Sequence, residues 1–152
     1  EVSETFKVDE VIVRPSNLSD DTSSSVSVVL HILQVMQERG SIFSYIVLLQ
    51  PTSPLRTYRN IEGAFDLIED RGELGAISVC KTEHPREWTG KIPSNGSLSS
   101  FFLETELGRL SQEFSPTYQI NGAIYIVPTD KFLQENTLFL QAYQFQLLGR
   151  FR

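Results

Sequence analysis

An unbroken apolar run, Tyr45 to Leu49, stands near the end of the first third of the chain. Without alternation, such a run predicts a strand covered on both faces, as in the middle of a parallel sheet. It stops at Gln50-Pro51, because proline has no N–H to give a sheet ladder. Pro51 and Pro54 bracket Thr52 and Ser53, a stiff turn that presents two hydroxyls. Helical spacing follows at Asn60, Ile61, Ala64, Phe65, Leu67 and Ile68. It predicts a helix over about 60–71 that ends near Gly72. Gly75 to Cys80 reads as a second buried strand. Upstream, Val11-Ile12-Val13 is a β-branched run that predicts a strand closed by Arg14-Pro15. The polar stretch Asn17 to Ser25 then leads into Val26, Val28, Val29, Leu30, Ile32, Leu33, Val35 and Met36, a mostly buried helix ended by Gly40. Strand, helix, strand, helix, strand predicts an α/β fold with a mainly parallel sheet and helical crossovers. Ligands of such sheets bind at the carboxyl ends of strands, where the Gln50 loop would lie.

The remainder is less periodic. Residues 1–10 read as the end of a helix and a short link. Residues 81–117 are rich in Gly, Ser and Pro and predict a lid or arm with short antiparallel strands. Trp88, Phe101 and Phe102 could anchor an interface there, or form a satellite hydrophobic cluster within one chain. Asn121-Gly122 before the apolar run Ala123 to Val127 fits either a tight hairpin turn or a close approach of backbone to a ligand. Pro128-Thr129-Asp130 starts a helix, and the alternation from Tyr143 onward predicts a strand.

At 152 residues, 40% hydrophobic and 21% charged, the chain is the size of one ordinary globular domain. A net charge of -6 argues against a nucleic-acid surface, which needs clustered cations. No apolar run approaches the roughly 20 residues of a membrane helix, and no secretory signal opens the chain. The cytoplasm is the expected compartment. The single cysteine, Cys80, cannot form an internal disulfide and reads as a small buried hydrophobe. Asp21 to Ser24 form a helix start rich in capping residues, and such ends expose N–H groups that can cap or hold an anion.

The stretch Leu48-Leu49-Gln50-Pro51-Thr52-Ser53-Pro54-Leu55-Arg56 resembles the hallmark loop of the acylneuraminate cytidylyltransferases, the CMP-sialic acid synthetases. Further matches follow in order: Arg14-Pro15, Asp21-Thr22-Ser23-Ser24, Glu83-His84-Pro85 and Asn121-Gly122-Ala123-Ile124-Tyr125-Ile126. The nine-residue loop is highly specific; the other matches gain weight from their shared order.

The resemblance implies a Rossmann-like, three-layer nucleotide-diphospho-sugar transferase fold. It also implies transfer of CMP from CTP to a nonulosonic acid, with release of pyrophosphate, Mg²⁺ as cofactor, and a homodimer whose arm borders the partner's sugar site. By the same resemblance, Arg14, Ser23 and Ser24 would line the cytidine pocket. Gln50 would sit between nucleotide and sugar, and Asn121 near the same strand ends. Arg86 or Lys91, with His84, would belong to the arm that approaches the sugar acid. Arg56 reads as paired with a nearby acid or as an anion ligand, and Arg109 as another candidate for the carboxylate. No basic, Gly-rich phosphate loop and no paired metal-binding aspartates are recognisable. With an initial glutamate, this predicts one incomplete domain over 1–152, with both features outside it. A catalytically silent nucleotide- or sugar-binding module, or an oligomeric partner, is the competing expectation. A cytidylyltransferase for a related keto-sugar acid is a narrower one.

Overall fold

The structure is a computed structural model. It describes residues 8–20, 22–72, 74–97 and 108–140, and the backbone of 143–147. The chain resolves into two compact units, Glu1–Ile46 with Val127–Gln141, and Val47–Ile126 with Ala142–Arg152.

In the first unit, α1 spans Ser25–Glu38. Ser24 is its N-cap, with its hydroxyl accepting from the Ser27 N–H at 3.0 Å. Arg39 closes the helix and forms an ion pair with Glu10. Residues 11–13, expected as a strand, are irregular, and Val13 is 84% exposed. Their β-branched side chains favour extended backbone, but a strand also needs a ladder partner, and Pro15 closes the segment two residues on. The second helix of this unit, α3, spans Thr129–Glu135 and buries Phe132 completely. The Thr129 N–H donates to Ser44 O at 2.9 Å. Among the described residues, no helix is long and apolar enough to cross a membrane.

The sheet has four strands: β1 (Tyr45–Leu48), β2 (Gly75–Lys81), β3 (Tyr118–Pro128) and β4 (Tyr143–Leu147), in the order β1-β3-β2-β4. β2 pairs antiparallel with β3 and parallel with β4. The α/β class therefore holds, with a sheet of mixed pairings. β1 lies at one end of that order, and Tyr45 and Val47 are exposed, so the expected cover on both faces is not present. The β4 backbone agrees with the alternation read from Tyr143.

In the second unit, α2 spans Tyr58–Arg71 and ends at Gly72, whose φ of 64° is the left-handed conformation that glycine adopts without strain. At its start the Thr57 N–H donates to Asn60 Oδ1 at 2.8 Å. Ala64 and Ile68 of α2 pack with Ala76, Ala123, Ile124 and Ile126, and Leu49, Ile61 and Phe65 border that core. The helix thus braces β2 and the middle of β3, the stretch where the site residues stand.

The arm, 81–117, has no strand of its own among its described residues beyond the end of β2, contrary to expectation. Gly, Ser and Pro there shorten any ladder, and two 3₁₀ turns, Arg86–Trp88 and Ser111–Glu113, take its place. Its base is clamped by the Thr82 N–H to Thr117 O at 2.9 Å and by the two threonine hydroxyls at 2.6 Å. Trp88 stacks on His84 and meets Phe114 edge-on, the intrachain cluster foreseen as one alternative. Phe101 and Phe102 lie outside the described residues, as does Asp21.

Candidate functional site

The Gln50 loop is two successive tight turns. Ser53 N–H donates to Gln50 O, and Arg56 N–H to Ser53 O, each at 3.3 Å. Pro51 and Pro54 occupy the second position of each turn, where a fixed φ is already correct. The loop is therefore rigid by covalent geometry, and Gln50 leaves it half-buried.

Opposite it, β3 loses register with β2. Ile77 pairs with Tyr125 but Val79 pairs with Ile120, so the single residue Ser78 faces the four residues Asn121 to Ile124. Such a bulge strips backbone groups of their ladder partners, and each buried one needs a substitute. Three side chains supply them. Ser78, 0% exposed, accepts from Ile124 N–H at 2.8 Å and donates to Asn121 Oδ1 at 2.6 Å. Asn121 Oδ1 also accepts from Ala123 N–H at 3.1 Å. Arg56 Nη1 donates to Ala123 O at 2.7 Å and to Gln50 O at 3.2 Å, so one guanidinium ties the loop to the bulge.

Gly122 sits at φ 75°, and a Cβ there would overlap the Gln50 side-chain oxygen. Asn121-Gly122 is thus not a hairpin turn. It brings backbone against the side chain of Gln50. The expected acid beside Arg56 is replaced by two carbonyls, because a planar fork of donors satisfies carbonyls that the bulge leaves unpaired.

A cleft of about 820 Å³ opens beside this assembly, lined among others by Ser53, Pro54, Thr82, His84, Arg86 and Asn121. The structure thus brings Asn121 and Arg86 to one cleft and places Gln50 against the neighbouring Gly122. Lys91 is exposed beyond the 3₁₀ turn and does not line it. Arg109 donates to Glu113 O at 2.9 Å and covers the Phe114 ring at 4.3 Å, so it is engaged within the arm. Cys80 is buried and borders the cleft. Burial raises the Tyr125 hydroxyl above its ordinary pKa.

Arg14, Ser23 and Ser24 belong to the first unit. Ser24 caps α1, and Arg14 is exposed. Ser23 and Thr22 hydroxyls donate to Asp20 Oδ1 at 2.7 and 2.9 Å, joined by the Thr22 N–H at 3.0 Å. These bonds, that from the Ser23 side chain foremost, hold the Asp20 carboxyl below its ordinary range. Among the described residues no group of three or more His, Cys, Asp or Glu could hold a metal ion.

Ser78 had not been singled out from sequence. The available signal was a lone hydroxyl inside the apolar run Gly75 to Cys80, since a buried polar group needs partners.

No family model matches the chain. Curated relatives do. A CMP-N,N'-diacetyllegionaminic acid synthase of Legionella pneumophila is 29% identical over 127 residues, 84% of this chain and 54% of that protein. A pseudaminic acid cytidylyltransferase of Campylobacter jejuni is 24% identical over 139 residues, 91% and 60% of the two chains. An N-acylneuraminate cytidylyltransferase of Streptococcus agalactiae is 27% identical over 143 residues, 93% and 33%. The chain thus spans about half to three-fifths of the first two relatives' length. With the Gln50 loop and the Asn121 bulge joined through Arg56, the chain is similar over most of its length to these CMP-sugar-acid synthase and cytidylyltransferase proteins.

Proposed function

We propose that the chain is the part of a cytidylyltransferase that carries its Gln50 loop, and that the protein transfers CMP from CTP to a sialic or other nonulosonic acid, releasing pyrophosphate. The observation that carries this reading is the single guanidinium of Arg56 holding both hallmark segments, the Gln50 loop and the Asn121 bulge. The chemistry is an in-line attack on the α-phosphorus, which depends on positioning and charge neutralisation more than on covalent catalysis. Gln50 has an amide that donates and accepts at once. Arg86 is a cation at the cleft suited to a sugar carboxylate, with Lys91 further along the arm. On the resemblance, Arg14, Ser23 and Ser24 bind cytidine. A divalent ion, Mg²⁺ in this reading, supplies charge neutralisation at the phosphates; the roles given to this chain's described residues are binding and orientation. The same reading takes the α/β sheet as part of a three-layer, Rossmann-like nucleotide-diphospho-sugar transferase fold in a cytoplasmic homodimer.

The test is transfer of labelled cytidine from CTP to N-acetylneuraminate, and to legionaminic and pseudaminic acids, with Mg²⁺. Formation of a labelled CMP-sugar is expected; no transfer to any nonulosonic acid would remove the proposal. A second reading, a module that binds nucleotide or sugar without turnover, is favoured by the lack of a metal-holding cluster among the described residues. Binding by calorimetry without transfer would distinguish it.

A further inference from the structure

Asn121 lines the cleft, yet its carboxamide is not free to turn. Its oxygen accepts from two groups, the Ala123 N–H and the Ser78 hydroxyl. The first can only donate, so the atom facing it must be oxygen rather than NH₂. Ser78 has a single proton. One of its lone pairs is taken by the Ile124 N–H at 2.8 Å, and the closest acceptor for its proton is Asn121 Oδ1 at 2.6 Å, ahead of Ile124 O at 3.2 Å. The Asn121 NH₂ has no hydrogen-bond partner among the described residues, and it is not among the buried unpaired atoms. The carboxamide therefore turns its acceptor inward and leaves two donors outward.

We propose that Ser78 is a positioning residue for this cleft. It locks Asn121 so that the cleft meets only its NH₂, and Asn121 recognises a ligand through hydrogen-bond acceptors such as a carbonyl, carboxylate, hydroxyl or phosphate oxygen. The inference rests on the reading of the cleft as a substrate site. It gives that site a polarity that residue type alone leaves open, since a mobile asparagine both donates and accepts. A buried hydroxyl serving both a bulge and a ligand-facing amide couples the sheet irregularity to recognition.

The experiment follows the side-chain amide pair of Asn121 by proton–nitrogen correlation spectroscopy. It uses the chain without ligand, then with CTP and with N-acetylneuraminate. In the unliganded protein the Asn121 amide pair should lie away from the free-amide position, because its carboxamide oxygen accepts two hydrogen bonds. Ser78→Ala should move the pair toward the free-amide position while the Gln50 pair stays in place. If that variant does not fold, Ser78→Cys, which keeps the volume and weakens the donor, should show the same change in part. The pair should shift when the bound probe is added, and Asn121→Asp should weaken that probe's binding about tenfold or more at an unchanged melting temperature, because the aspartate still accepts from Ser78 and Ala123 but no longer donates outward. An Asn121 pair indifferent to both Ser78 variants overturns the positioning role. Binding to Asn121→Asp as tight as to the parent overturns the donor role. A locked pair in a chain that takes up neither probe supports the positioning role and overturns the substrate reading of the cleft instead.

Discussion

The Ser78 hydroxyl donates to the Asn121 carboxamide at 2.6 Å from the one place where β2 and β3 fall out of register. A residue of the sheet core and a residue of the cleft are thereby one structural unit. The bulge exists because the chain inserts extra residues at Asn121-Gly122, and it survives because Ser78, Asn121 and Arg56 replace lost ladder bonds. Replacing Ser78 by alanine leaves the buried Ile124 N–H without its acceptor, and should lower stability by about 1–3 kcal/mol. Denaturant unfolding measures it.

Arg56 holds the loop to the bulge. Arg56→Ala leaves the Ala123 and Gln50 carbonyls without this donor and should cost about 1–3 kcal/mol. Arg56→Lys should recover part of that, since an ammonium can still donate but lacks the planar fork. Chemical denaturation of both variants, compared with the parent, checks the order.

Gly122 needs its left-handed backbone and its bare Cα. Gly122→Ala should destabilise by about 1–2 kcal/mol from backbone conformation alone. It should also displace Gln50, whose side-chain oxygen occupies the space of the new methyl. Nuclear magnetic resonance of the Gln50 side-chain amide would reveal the shift; an unmoved Gln50 contradicts the proposed contact.

Asp20 supplies a pH dependence. Its folded-state pKa lies below the ordinary value of 3.8, chiefly through the Ser23 hydroxyl. The stabilisation is therefore present above that value and is lost as pH falls through the folded pKa. Ser23→Ala should raise the Asp20 pKa toward its ordinary value, read by carboxyl carbon titration. Tyr125 acts at the other end: its raised pKa means that stability declines as pH climbs above 10.0 toward the folded value. Alkaline melts of Tyr125→Phe, which has no proton to lose, should lack that decline.

Much of this arrangement is legible in the residues. Pro51 and Pro54 predict a single stiff turn, and the loop forms two in succession; the periodicity of Asn60 to Ile68 predicts α2 with its Gly72 stop. The family motif pointed to Gln50 and Asn121. Three things were hidden. Val11 to Val13 have strand propensity but no ladder, because pairing is a tertiary property that local sequence does not encode. The role of Ser78 depends on a register shift far downstream in the chain, and its lone hydroxyl within Gly75 to Cys80 says that it needs partners but not which ones. Arg56 was read as a cation seeking an anion, whereas the bulge offered it carbonyls.

The most direct test is titration calorimetry of CTP and N-acetylneuraminate into the chain and into Gln50→Ala. The account predicts saturable binding of at least one of the two, weakened about tenfold or more in the variant while its melting temperature is unchanged. Binding of neither by the parent chain, or equal affinity in the two proteins, would contradict it.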